Sequence, residues 1–149
     1  MCMTACNQVE GTPSEIKVKA GSCKKRGVTY EIACITKMRK RIRTRYVGET
    51  GQSAFERGKD HLDGLRRAAR EGTLPKDPKE RDNALYRHHI EEHRGEEPEY
   101  WMRVTSTHKT PMQRQVEEAV RIEEARGRSN ITLNRKSEWR SSRIPRIRI

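Results

Sequence analysis

The chain is short of the material from which large cores are made. It has one phenylalanine, two tryptophans and four tyrosines in 149 residues, and hydrophobic residues (32%) are outnumbered by charged ones (36%). That balance predicts one lean domain with loose ends rather than a large core. No apolar run approaches the ~20 residues that a membrane-spanning helix requires. The first residues, MCMTACNQVE, lack the charged start and apolar middle of a signal peptide, so the expectation is a soluble intracellular protein. Cysteine is scarce too: Cys2, Cys6, Cys23 and Cys34, with no tight Cys-x-x-Cys pair. In a reducing compartment these are expected as free thiols or metal ligands rather than disulfides. No internal repeat is visible.

Acid is also in deficit. Thirty-three Lys and Arg against 21 Asp and Glu leave a formal net charge of +12. Such a field draws polyanions, and a phosphate backbone is the first partner to expect; an anionic membrane surface and a ribosomal-type RNA are the rivals.

What is present has a readable order. Residues 1–22 have little periodicity and read as an N-terminal tail. RGVTYEIAC, 26–34, puts Val28, Tyr30, Ile32 and Cys34 on one face, the alternation of a half-buried strand. The connection that follows carries Lys37, Arg39, Lys40, Arg41, Arg43 and Arg45 and no acid. It leads to a second strand, RYVGET, so the two strands form a hairpin whose basic turn can grip phosphate, or serve only as a targeting or solubilising patch. Ser53 and Glu56 then form a capping box, and Phe55, Leu62, Leu65 and Ala69 recur at helical spacing. Arg57 and His61 lie four apart and share a face of that helix. A polar loop with Pro75 and Pro78 precedes a second helix through NALYRHHIEEH. EYWMRVTST, 99–107, reads as a third strand. Thr110-Pro111 starts a third helix whose apolar stripe is Met112, Val116, Ala119 and Val120, ended by Gly127. The last ten residues, 140–149, form a loose basic tail.

The fold expected is therefore α/β, a small three-stranded antiparallel sheet flanked by helices, with the main domain over 23–139. A second metal-binding pattern is a candidate structural Zn²⁺ site, drawn from Cys23, Cys34, His88, His89 and His93, to which the N-terminal tail can contribute. His89 and His93, four apart on a helix, can present two imidazoles to one ion.

VTYEI followed by YVGET resembles the two-tyrosine pattern of the GIY-YIG nucleases, with Arg57 and His61 in the arginine-and-histidine stretch of the first helix. EEAVRI at 117–122 and LN at 133–134 are similar to the family's metal-binding glutamate and closing asparagine. Within the family the chain is most similar to the endonuclease of Penelope-like retroelements, in GETG, NALYRHH and EEAVRI ahead of LNRK. It departs in Thr29 and in the longer basic connection between the tyrosines.

The resemblance implies a metal-dependent DNA endonuclease. Glu118 would hold Mg²⁺ or Mn²⁺, with Glu117 as the fallback, and Arg57 would neutralise non-bridging phosphate oxygens. Tyr30 would help deprotonate the attacking water, Tyr46 would orient it, His61 would share the proton traffic and Asn134 would brace the site. In a retroelement the nick would expose a 3′ hydroxyl for priming, and the protein would be nuclear. The alternatives are a non-catalytic basic nucleic-acid-binding module and a repair nuclease of the same fold. The partner expected is DNA, with neither a membrane nor a small-molecule substrate.

Overall fold

A computed structural model of the chain describes residues 15–18, 21–34, 44–71, 83–93, 99–128 and 132–134. Strands β1 (Glu15–Val18), β2 (Arg26–Cys34), β3 (Arg45–Ser53) and β4 (Glu99–Thr107) alternate with helices α1 (Ala54–Glu71), α2 (Ala84–Glu92) and α3 (Pro111–Arg128) in the order β1-β2-β3-α1-α2-β4-α3. The sheet order is β1-β4-β2-β3. β4, β2 and β3 form the expected three-stranded antiparallel sheet, with Tyr30 opposite Gly48 on one side and Val104 on the other. A fourth strand, β1, pairs in parallel with β4. It comes from the segment that lacks sequence periodicity, because a four-residue edge strand can be held by backbone pairing without an alternating pattern of its own.

The alternation in β2 is realised. Val28, Tyr30, Ile32 and Cys34 are buried and share one core with Leu62 and Leu65 of α1, Leu85 and Tyr86 of α2, and Tyr100 and Met102 of β4. α1 packs against the sheet and α2, and α3 packs against β3 and β2. Where β2 enters the sheet its register shifts between Arg26 and Val28. Gly27 sits there at φ +63°, with the His108 carbonyl where a Cβ would stand. Only glycine fits that bulge without strain.

The helix starts are those the side chains specify. The Ser53 hydroxyl accepts from Glu56 N (3.2 Å) while the Glu56 carboxylate accepts from Ser53 N (2.8 Å), a reciprocal capping box. Asn83 caps α2 by accepting from Leu85 N. Thr110 caps α3 by accepting from Gln113 N, and the helix continues through Gly127 to Arg128.

The stripe of α3 is a correction. Met112, Val116 and Val120 face solvent, and Ile122 is the helix's fully buried apolar residue. Around Ile122 its packed side carries polar groups, joined to the sheet by an ion pair and by hydrogen bonds to Ser106. Arg114 Nε bonds Glu49 at 2.8 Å, and Glu117, held at 2.7 Å by Arg121, accepts from Ser106. Periodicity identifies an apolar face but not what it is turned toward.

Candidate functional site

Three elements bring their polar groups to one phenol oxygen. Tyr30 projects from the middle of β2 and is fully buried. Its hydroxyl lies 2.7 Å from Nε2 of His61 and accepts from Nε of Arg57 at 3.1 Å. The oxygen accepts from the guanidinium; with the imidazole proton on Nδ1, it donates its own hydrogen to His61 Nε2. The i, i+4 spacing of Arg57 and His61 on α1 is what lets both reach one atom. Gly48 leaves the space: a Cβ there would run into the Tyr30 ring and hydroxyl. Tyr46, from β3, lies edge-on to His61 with ring centroids 5.6 Å apart.

Electrostatics keep this cluster neutral at its centre. Burial pushes the Tyr30 phenol up to about 12, against the opposing pull of Arg57, and the carboxylates of Glu118 and Glu49 add to the rise. Both carboxylates are therefore close enough for the phenol to sense. Burial and then Arg57 hold the His61 imidazole down to about 3. Burial also works against the Arg57 charge, but Tyr30, Tyr46 and Asp60 outweigh it and its pKa is raised.

Glu118 is half-buried on α3. The sequence offers Arg114 and Arg121 as its salt-bridge partners, yet Arg114 pairs with Glu49 and Arg121 with Glu117. Glu117, the fallback metal ligand, is thus tied to a guanidinium. The position of Glu49 between Gly48 and Thr50 in a strand gives no local signal of a partner 65 residues on.

Asn134 acts on the backbone. Its Oδ1 accepts from Val47 N (2.7 Å) and its Nδ2 donates to Val47 O (2.9 Å), as a neighbouring strand would. Leu133 N also donates to Arg45 O, and Thr132 bridges Arg45 in parallel. The free edge of β3 is closed at Val47, between Tyr46 and Gly48.

A second cluster lies at the other end of β2. The ligand atoms of Cys34, His88 and His93 all lie within 4.8 Å of one another and can hold a metal ion. Cys34 Sγ is 3.1 Å from His93 Nε2, which is 3.1 Å from His88 Nε2. His88 and His93 are five apart, too far round a regular helix to meet. They meet because His93 is the C-cap of α2 and leaves helical geometry (φ −119°, ψ 34°).

Two residues expected at this site are elsewhere. His89 turns to the Tyr100 hydroxyl at 3.5 Å, and burial and then His93 lower its pKa. Burial also raises the Tyr100 phenol. Cys23 is beyond the opposite end of β2, is disulfide-bonded, and its carbonyl accepts from Phe55 N at the start of α1. Of the basic connection, Lys37, Arg39, Lys40, Arg41 and Arg43 lie outside the described residues, as does the tail 140–149. Arg45 is described, and with Arg103 it flanks Glu31 at 3.7 and 2.9 Å.

The chain matches no protein-family model, no curated protein and no solved structure. No helix among the described residues is long and apolar enough to cross a membrane.

Proposed function

We propose that the chain is a GIY-YIG-like, metal-dependent DNA endonuclease, serving as the endonuclease domain of a retroelement. The observation that carries this reading is the convergence of Arg57 and His61 on the Tyr30 hydroxyl, with Tyr46 against His61 and Glu118 within electrostatic reach. A buried phenol held between a guanidinium and a neutral imidazole suits proton transfer beside an anion, a combination that phosphodiester hydrolysis needs.

Arg57 binds the scissile phosphate through the guanidinium nitrogens not engaged by Tyr30, and its fixed fork takes up charge on the non-bridging oxygens. At neutral pH Tyr30 is a neutral phenol. It acts as a relay, taking a proton from the attacking water while its own passes to His61 Nε2. In the free protein burial, and then Arg57, depresses His61. A bound phosphate offsets that guanidinium, so the imidazole becomes a better acceptor once DNA is in place. Tyr46 and Asn134 set the position of the ring and of the β3 edge.

Glu118 fits a hard divalent cation, since it offers carboxylate oxygen on the wall of a site that already senses its charge. Such a cation, Mg²⁺ or Mn²⁺, would supply positive charge for the phosphoryl oxygens and the leaving group. The second cluster has the nitrogen and sulfur donors that suit Zn²⁺ in a structural role, fastening the end of β2 to the end of α2. That fastening would hold the root of the basic connection, which we assign to the DNA backbone.

Supercoiled plasmid incubated with the protein and Mg²⁺ tests the reading. Nicked or linear product with Mg²⁺, and none with EDTA, is expected. Binding without cutting under any divalent cation would leave a non-catalytic nucleic-acid-binding module. Retroelement use predicts in addition that the nick leaves a 3′ hydroxyl that a polymerase can extend.

A further inference from the structure

Met112, Val116 and Val120 follow one another at four-residue intervals along the outer face of α3, each about half exposed (52, 49 and 48%). Glu123 lies two helical turns beyond Val116, and Lys109, the residue before the Thr110 cap, lines a groove with Met112, Gln113 and Val116 at the other end of the face; both are exposed. A half-turn about an axis through Val116 therefore carries Met112 onto Val120 and brings the Lys109 end of the face to the Glu123 end. The face is complementary to itself when two copies run antiparallel. A parallel pair would set Lys109 against Lys109 and Glu123 against Glu123, which is repulsive.

We propose that this face binds a second copy of the chain, forming a twofold dimer through antiparallel α3 helices. An open groove of about 660 Å³ beside Met112 and Val116, lined also by Gln113 and Glu117, takes the partner's Val120. The exposed carboxylates of Glu123 and Glu124 disfavour a nucleic-acid partner at this face. Glu123 makes only a loose 3.9 Å contact with Arg126 and stays 70% exposed. Glu118 lies two residues beyond Val116, roughly 200° round the helix, so the pairing leaves the Tyr30 cluster open.

Analytical ultracentrifugation of the full chain, from low micromolar to submillimolar concentration, decides this. A reversible monomer–dimer equilibrium is expected, and Val116→Lys should be monomeric throughout while its circular dichroism is unchanged. Lys109→Glu should weaken the dimer by about tenfold or more, and adding Glu123→Lys should restore it to within about threefold. The charge pair keeps the test informative should Val116→Lys disturb the helix. A parent that stays monomeric, a Val116→Lys variant that dimerises as the parent does, or a double charge reversal that fails to recover would each overturn the proposal.

Discussion

The Tyr30 hydroxyl and His61 Nε2 stand 2.7 Å apart in a fully buried setting, and the same hydroxyl takes the only hydrogen bond described for Arg57 Nε. Deleting that oxygen with Tyr30→Phe leaves the buried His61 Nε2 and the part-buried Arg57 Nε to find other partners, at about 1–3 kcal/mol of stability. It also removes the relay. Plasmid cutting should fall by about 100-fold or more while circular dichroism shows a folded protein. Tyr46→Phe keeps the ring against His61 and should lose activity with little loss of stability. Cutting within about threefold of the parent by Tyr30→Phe would make the phenol structural.

Much of this site is legible in the sequence, because the information is local. The capping box fixes where α1 starts, the i, i+4 spacing places Arg57 beside His61, and the alternation in β2 buries Tyr30. Long-range pairing is what local pattern cannot carry. The Glu49–Arg114 bridge spans 65 residues and ties the packed side of α3 to β3. Without it Met112, Val116 and Val120 read as a core stripe. Likewise the choice of His88 over His89 depends on the non-helical backbone of His93, which residue spacing does not encode.

The pKa of His61 gives stability a predictable slope with pH. An unfolded imidazole takes up its proton near 6.5, whereas the folded one resists until about 3. The unfolded state therefore binds more protons across that window. Stability is full above the unfolded value and is lost as pH falls toward 3. From pH 7 to pH 5 this group alone should cost about 2 kcal/mol. His61→Gln has no such proton to take up, so its stability deficit against the parent should shrink by that amount over the same range. Denaturant melts at both pH values provide the comparison, and a constant deficit would mean that the folded imidazole takes up its proton as the unfolded one does.

Glu118 and Arg57 should fail in different ways. Glu118→Gln keeps the volume but removes the carboxylate charge, and cutting should be abolished or should require far more Mg²⁺, with DNA affinity retained. It should also lower the Tyr30 pKa, because one of the charges that raise it is gone. Arg57→Ala should reduce the rate by about 100-fold or more at any Mg²⁺ concentration, since the transition-state charge loses its partner. A Glu118→Gln variant with parental Mg²⁺ dependence would send the metal assignment to another carboxylate.

The Cys34, His88 and His93 cluster predicts about one zinc per chain in purified protein, measured by elemental analysis. Cys34→Ser or His93→Gln should remove most of it and lower the melting temperature, because metal binding is coupled to folding. His89→Gln and Cys23→Ser should leave the zinc in place, since neither residue belongs to the cluster. Loss of metal from Cys23→Ser, with Cys34→Ser fully loaded, would reverse the assignment.

On the nuclease reading, the basic connection would tie the metal cluster to DNA. It leaves β2 at Cys34 and re-enters the sheet at Arg45, so its root is the strand end where the cluster sits. Backbone contacts from these cations should be blind to sequence. Neutralising Arg39, Lys40 and Arg41 together should weaken binding to all DNA alike. Up to three lost phosphate contacts would reduce the slope of log K against log salt by roughly 3 in magnitude. The cutting rate at saturating DNA should change little, because the Tyr30 cluster is untouched. If Zn²⁺ fixes the root of the connection, Cys34→Ser should also lower affinity without changing the slope by that much, since its cations remain. An unchanged slope in the triple variant would make the run a targeting or solubilising patch. Altered site preference at full general affinity would make it a reader of sequence.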